Sequence, residues 1–194
     1  MKSLTTFILL CILTSSRLVA QTSVTAPIVT TVDGKARIEY IVSALGEQDA
    51  LFLKGKDWLY KTYNSGKTVE QYDDKAAGRI AVKARTQELK WNAGLGIVNT
   101  AGCFTYNMTL DFKECKGRLI IENITYQKGQ LKDAMILASG ADLADAFPAN
   151  WPTLGKKAMT RHWNEMQAAG TNELLLLATS FQNAVTKKGD NKDW

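Results

Sequence analysis

The sequence predicts an α+β domain in which helices cover one face of an antiparallel sheet. Residues 103–126 alternate apolar and polar side chains over two successive strands, and Lys35–Ser43 and Arg79–Arg85 alternate in the same way. Such alternation describes a strand with one face in a core and the other in water, which antiparallel sheets allow. Segments with apolar residues at helical spacing follow the first strand and the last. The predicted order is β-α-β-β-β-β-α-α, with the four consecutive strands forming a meander.

The first 20 residues predict a signal peptide. Lys2 supplies a positive start, Phe7–Leu13 an apolar run, and Leu18–Ala20 a cleavage site before Gln21. We therefore expect an exported protein, periplasmic or secreted. Cleavage would leave 22 basic and 19 acidic residues, a net charge of +3 that favours solubility over polyanion binding. No later apolar run is long enough to predict a transmembrane segment.

Residues 21–34 are predicted to be a loose lead-in to a single domain at residues 35–188, with a frayed tail at 189–194. The first strand turns Ile38, Tyr40 and Val42 to one face. A helix over Glu47–Tyr63 follows, because apolar residues recur there at helical spacing. Its stripe contains Leu51, Trp58, Leu59 and Thr62. Gly55 lowers the helix propensity by about 1 kcal/mol relative to Ala, which indicates a close contact with another element.

The middle of the chain predicts the meander. A weak strand over Thr68–Asp73 and a turn at residues 74–78 lead into Arg79–Arg85. The glycine-rich segment 92–102 is expected to connect that strand to the hairpin at residues 103–126.

The hairpin is predicted to turn at Lys113–Gly117. Its first strand places these residues inward: Phe104, Tyr106, Met108, Leu110 and Phe112. It places these outward: Cys103, Thr105, Asn107, Thr109 and Asp111. The second strand, Arg118–Tyr126, contains the apolar run Leu119–Ile121, which favours a β-bulge or partial cover of its second face.

The two cysteines outside the signal peptide are predicted to be free thiols. Cys103 opens the first hairpin strand and Cys115 lies in the turn at its far end. Strand geometry separates them by about 30 Å, whereas a disulfide requires Cα atoms within about 7 Å.

Helices are predicted for the rest of the domain. Asp133–Phe147 is Ala-rich and ambiguous. Two further helices are predicted, Thr153–Ala168 and Asn172–Lys188. Gly170 is expected to end the first of them, and Thr171 to cap the second.

Several of these segments together carry a resemblance to a known family. They are the helix with Trp58, the segment from Val69 to Ile80 with its acidic-basic turn, the hairpin turn at Lys113–Arg118, and the helices with Trp163 and Leu174–Val185. They resemble a family of exported bacterial proteins described as a domain of unknown function with a TBP-like fold. The resemblance implies that fold for roughly residues 35–188, and a secreted or periplasmic protein of Bacteroidetes-type bacteria. It implies no catalytic residues.

The outward face of the sheet is the first candidate binding site. Its charged residues are Arg37, Glu39, Arg79, Lys83 and Arg85. One interpretation is an ordinary solvated face. The other is a docking surface for an acidic protein or envelope component, with edge-strand pairing along Thr68–Asp73.

A cavity between helix 47–63 and the sheet is the second candidate site. Its predicted lining is Trp58, Tyr106 and Met108. A void there would indicate a small-molecule or lipid carrier, and a filled core would argue against one.

The sequence does not predict an enzyme, a metal site or a cofactor. His162 is the only histidine and is expected to be a half-exposed helix residue. A hydrolase would need two carboxylates converging in one cleft, but the adjacent Asp73 and Asp74 should diverge. Mixed surface charge argues against nucleic-acid binding. A TBP-like fold does not by itself imply such binding, because one fold can serve many functions. We therefore expect a non-catalytic binding module, with a partner and oligomeric state that the sequence does not specify.

Overall fold

A computed structural model describes residues 26–63, 70–92, 98–129, 139–149 and 156–187. The predicted signal peptide and C-terminal tail lie outside these ranges.

In the described ranges, seven strands form one antiparallel sheet. They are β1 Val29–Val32, β2 Lys35–Ser43, β3 Glu70–Asp74, β4 Arg79–Arg85, β5 Leu89–Asn92, β6 Val98–Lys113 and β7 Lys116–Lys128. Six lie side by side in the order β1-β2-β7-β6-β4-β3, and β5 pairs with β6 outside this path. The predicted α+β class and antiparallel sheet are confirmed.

Strand β1 corrects the prediction of a loose lead-in. It forms a hairpin with β2 through Asp33 and Gly34, which have φ angles of +50° and +76°. An Asp-Gly pair adopts these angles readily and suits a two-residue hairpin turn. The turn therefore adds an edge strand to residues that the sequence analysis treated as irregular.

The predicted connection at residues 92–102 is also too long. Strand β6 begins at Val98 and already pairs with β5 there. Gly102 has a φ of +142°, and a Cβ at this position would lie 2.3 Å from the Gln127 carbonyl oxygen. Glycine thus continues the strand where the sequence analysis expected a loop.

Two helices of the described part of the chain pack on one face of the sheet, which we call the inner face. Helix α1, Gln48–Thr62, matches the predicted helix. Helix α2 is a single helix, Lys156–Thr186, so the prediction of two helices separated at Gly170 is wrong. Gly170 is buried against Phe104, and a Cβ on it would lie 2.6 Å from Phe104 Cδ2. This glycine serves close packing of the helix on the sheet instead of ending the helix.

The inner face holds the core. Its fully buried side chains include Ile38, Leu51, Ile80, Phe104, Met108, Leu110, Phe112, Leu119, Ile121, Trp163 and Phe181. The close contact predicted at Gly55 is confirmed, because a Cβ there would lie 2.2 Å from Phe112 Cζ. A glycine in each helix therefore lets a phenylalanine ring of the sheet approach the helix backbone.

Strand β7 contains a β-bulge, but at Asn123 and not in the run Leu119–Ile121 that led us to expect one. Thr105 faces Thr125, but Asn107 faces Glu122, so β7 contains one extra residue. Asn123 has a φ of +53° and is exposed. Inward positions consequently shift from Leu119 and Ile121 to Ile124 and Tyr126.

Two further predictions concern the two cysteines and the segment Asp133–Phe147. Cys103 and Cys115 are free, as expected, but Cys103 is buried, so its predicted outward exposure is wrong. The described part of the ambiguous segment, residues 139–147, forms no helix. Asp142 bridges to Thr125, and its Oδ1 accepts a 2.8 Å hydrogen bond from the Ala36 backbone N–H. This segment therefore ties β7 to β2.

Candidate functional site

The outer face, the side of the sheet opposite α1 and α2, carries a continuous set of ion pairs that we call the charge ladder. Its members are Arg79, Asp111, Arg118, Glu39, Arg37 and Glu122, contributed by β4, β6, β7 and β2. These residues meet because side chains that alternate with core residues on adjacent strands share the other face of the sheet. The predicted residues Arg37, Glu39 and Arg79 are thus brought into one network.

Asp111 is the centre of the ladder. Its Oδ1 accepts from Arg79 Nε at 2.7 Å, and its Oδ2 accepts from Arg118 Nη2 at 2.5 Å. Burial alone would raise the pKa of Asp111, but the hydrogen bonds and charges of the two guanidinium groups lower it below its ordinary value. Asp111 therefore stays ionised and holds both arginines in place.

The ladder continues to β2 through Glu39. Arg118 Nη1 lies 3.5 Å from Glu39 Oε1, and Arg37 Nη2 lies 3.1 Å from Glu39 Oε2. Arg37 Nη1 lies 3.8 Å from Glu122 Oε2. The sequence analysis did not identify Arg118 as a site residue, although its alternation with buried Leu119 places it outward.

Lys83 and Arg85, the other predicted site residues, lie farther along β4 and are exposed. Neither forms an ion pair with a carboxylate among the described side chains. Arg85 instead lies close enough to Cys103 for its charge to act on the thiol. Burial raises the pKa of that thiol, and the charge of Arg85 opposes the effect.

An uncharged row crosses the outer face beside the ladder. The strand register aligns Tyr72, Ala81, Thr109 and Ile120 on adjacent strands. Tyr72 is 62% exposed, and Ile41, next to Arg118 in the register, is 60% exposed. Tyr72 on β3 and Ile41 on β2 have three strands between them, so they are two separate exposed side chains that flank the charged residues.

A pocket of about 310 Å³ lies at the hairpin end of the ladder. Its charged lining consists of Arg79, Lys113, Lys116, Arg118 and Asp111. Four cations against one carboxylate make this end of the outer face electropositive.

The predicted cavity lined by Trp58, Tyr106 and Met108 is wrong. Met108 is fully buried in the core. Trp58 packs edge-on against Phe181 with ring centroids 5.4 Å apart, and its Nε1 donates to Ser180 Oγ at 3.0 Å. Tyr106 does line a pocket, but that pocket lies at the C-terminal end of α1. Aromatic side chains fill the space that the sequence analysis left open.

His162 is buried, in contrast to the predicted half-exposed position. Its Nδ1 lies 3.6 Å from Glu165 Oε2, and burial lowers its pKa. Within the described ranges, no group of three His, Cys, Asp or Glu side chains has the arrangement to hold a metal. No helix in the same ranges has the length and apolar character to cross a membrane.

The architecture defines the chain as an α+β domain with a TBP-like fold. A crystal structure of a TBP-like protein from Parabacteroides distasonis superposes with a TM-score of 0.54 at 16% identity, covering 80% of this chain and 97% of that one. A DUF4468 family protein from Bacteroides ovatus gives a TM-score of 0.55 at 13% identity, covering 82% and 94%. At these identities the similarity shows the fold alone.

Residues 42–127 match the family described as "Domain of unknown function (DUF4468) with TBP-like fold". The predicted family resemblance is therefore confirmed for residues 42–127. No curated protein matches this sequence.

Proposed function

We propose that this protein is an exported, non-catalytic binding module that docks an acidic protein of the cell envelope on its outer face. The observation that carries the proposal is the composition of that face. Its described side chains include eight cations (Lys35, Arg37, Arg79, Lys83, Arg85, Lys113, Lys116, Arg118) against four carboxylates (Glu39, Asp74, Asp111, Glu122), around the uncharged row. Opposite charge guides such an encounter and apolar contact then stabilises it.

The two parts of the face contribute differently. The ladder arginines are held by carboxylates, so they offer a pre-oriented surface at little cost in side-chain entropy. Lys83 and Arg85 lie outside the ladder and contribute to the excess positive charge together with Lys35, Lys113 and Lys116. Tyr72 and Ile41 supply large exposed side chains, and aromatic residues often dominate the binding energy of interfaces.

The N-terminal sequence supports an envelope partner. Residues 1–20 have the charge, apolar run and cleavage pattern of a signal peptide. The described outer-face side chains form reciprocal ion pairs, which supports a binding role because such pairs present oriented charge to a partner.

A crosslinking pull-down from the native envelope fraction tests the proposal with matched variants. Wild type is expected to capture an acidic protein, and so is the control variant Lys157→Glu, whose side chain is exposed at the start of α2. The variant Lys83→Glu is expected to lose that protein. With that partner purified, affinity should fall as salt is raised, because exposed charges are screened. Equal capture by Lys83→Glu, or no specific partner, would overturn the proposal.

A second candidate, a small-molecule or lipid carrier, is supported by the pocket that Tyr106 lines. Mass spectrometry of the protein purified without denaturation tests it. A retained small molecule supports this function, whereas a protein of the bare polypeptide mass counts against it.

A further inference from the structure

A pocket of about 460 Å³ opens between the C-terminal end of α1, the C-terminal end of β4 and the middle of α2. This volume is within the range of small-molecule sites. The lining is amphipathic: Tyr63, Tyr106 and Glu173 supply polar groups, and Leu174, Leu176 and Leu177 form an apolar wall. The pocket is on the inner side of the sheet, so it is separate from the outer face.

Two tyrosines form the polar floor of the pocket. Their hydroxyl oxygens lie 2.8 Å apart, and Tyr106 is 3% exposed. Burial raises the pKa of both phenols, that of Tyr63 to about 12, and the charge of Glu173 acts in the same direction. Both hydroxyls are therefore neutral at physiological pH. One donates to the other, which leaves acceptor lone pairs on both oxygens for a ligand.

Glu173 brings a fixed negative charge to the pocket. Its Oε1 accepts a 2.8 Å hydrogen bond from the Gln87 backbone N–H, which anchors the side chain beside the β4 end. Glu88 adds a second carboxylate to the lining. Arg85 also lines the pocket, so the lining carries two carboxylates against one guanidinium. The local charge thus favours a cation.

We propose that this pocket binds a primary ammonium group carried on a short apolar chain. The ammonium would donate to the Glu173 carboxylate and to the phenol oxygens, and the chain would lie against Leu174 and Leu177. Three donors of one ammonium match these acceptors. A carboxylate ligand would meet Glu173 and Glu88 with like charge, and an uncharged ligand would desolvate Glu173 without compensation.

This inference rests on the carrier function proposed above and names the class of ligand carried. Calorimetric titration of the purified protein with hexylammonium chloride tests it. Saturable binding of hexylammonium, with hexanol and hexanoate binding at least about tenfold more weakly, is the expected result because charge-assisted hydrogen bonds exceed neutral ones. Equal or tighter binding of hexanol or hexanoate would overturn the ammonium assignment but retain a carrier. Binding of none of the three would overturn the proposed site.

Variants separate the site from general charge effects. Glu173→Gln keeps an acceptor for the Gln87 N–H and removes the charge, so the affinity for hexylammonium should fall about tenfold or more. Glu114→Gln, in the exposed hairpin turn, removes the same charge elsewhere and should leave the affinity unchanged. An unchanged affinity in Glu173→Gln would overturn the proposal. The affinity for Nα-acetyl-lysine amide, compared with that for hexylammonium, shows whether the pocket prefers a lysine side chain or a free alkylamine as the source of the ammonium.

Discussion

The two faces of the sheet are made by the same strands, yet they are stabilised by different interactions. On the inner face, Phe104, Tyr126 and Trp163 meet with ring centroids 5.8–6.0 Å apart in a fully buried cluster. On the outer face, Asp111 and its arginine neighbours are held by hydrogen bonds and charge. Close packing tolerates little change of volume, whereas half-exposed ion pairs contribute less to stability. Substitutions on the two faces should therefore change the free energy of unfolding by different amounts and with a different dependence on pH.

The largest effect is expected for Phe104→Ala on the inner face. The ring contacts Trp163, Tyr126 and the Gly170 backbone, so its loss should lower the free energy of unfolding by about 3–5 kcal/mol. Asn107→Ala, exposed on the outer face of the same strand, should change it by less than about 0.5 kcal/mol. Urea unfolding measures both, and similar losses would contradict the comparison.

Gly170→Ala should also destabilise the protein, by about 1–3 kcal/mol, because the added methyl group overlaps the Phe104 ring. Helix propensity alone predicts the opposite sign, a gain of about 1 kcal/mol. The exposed Asn172→Ala in the same helix provides the control and should be neutral or stabilising. A stabilised Gly170→Ala variant in thermal unfolding would show that the helix and sheet are not in close contact.

Asp111→Asn tests the outer face and should lower the free energy of unfolding by about 1 kcal/mol at pH 7. This value is within the range of partly buried hydrogen bonds to charged groups. The pKa of Asp111 is lowered in the folded protein, so its contribution is present above the ordinary Asp pKa of about 3.9 and is lost as pH falls through the folded-state value. The stability difference between wild type and Asp111→Asn should stay constant from pH 7 to about 5 and shrink below about pH 4. A difference that grows on acidification would refute the role of the ladder.

Lys83→Ala should have the smallest effect on folding, less than about 0.5 kcal/mol, because its exposed side chain lies outside the ladder. Its expected consequence is for docking alone. Circular dichroism melting of this variant should overlay that of wild type, and a clear shift would mean that Lys83 supports the fold.

The sequence predicted the elements with strong periodicity and failed where packing overrides local preference. Alternation identified β2, β4 and the inner residues of β6, because burial of one face imposes a period of two. Gly170 was interpreted as a helix end, since only the fold reveals the Phe104 ring that requires it. The Asp33–Gly34 turn carried a hairpin signal that the sequence analysis did not use.

The candidate sites were predictable only in part. The outward positions of Arg37, Glu39 and Arg79 follow from alternation. Their connection through Arg118 depends on strand order and register, which one sequence does not reveal. The failed cavity has a similar cause, because Trp58 and Phe181 are distant in sequence and fill it together.

The bulge at Asn123 makes the hairpin tolerant of a change in length. Removal of this one residue would restore plain alternation from Leu119 through Tyr126, with Ile121 and Ile124 still facing inward. Related chains with or without the extra residue can therefore keep the same core, and evolutionary insertions or deletions should concentrate at this point of β7. Loss of a residue elsewhere along the strand would turn every following side chain to the opposite face.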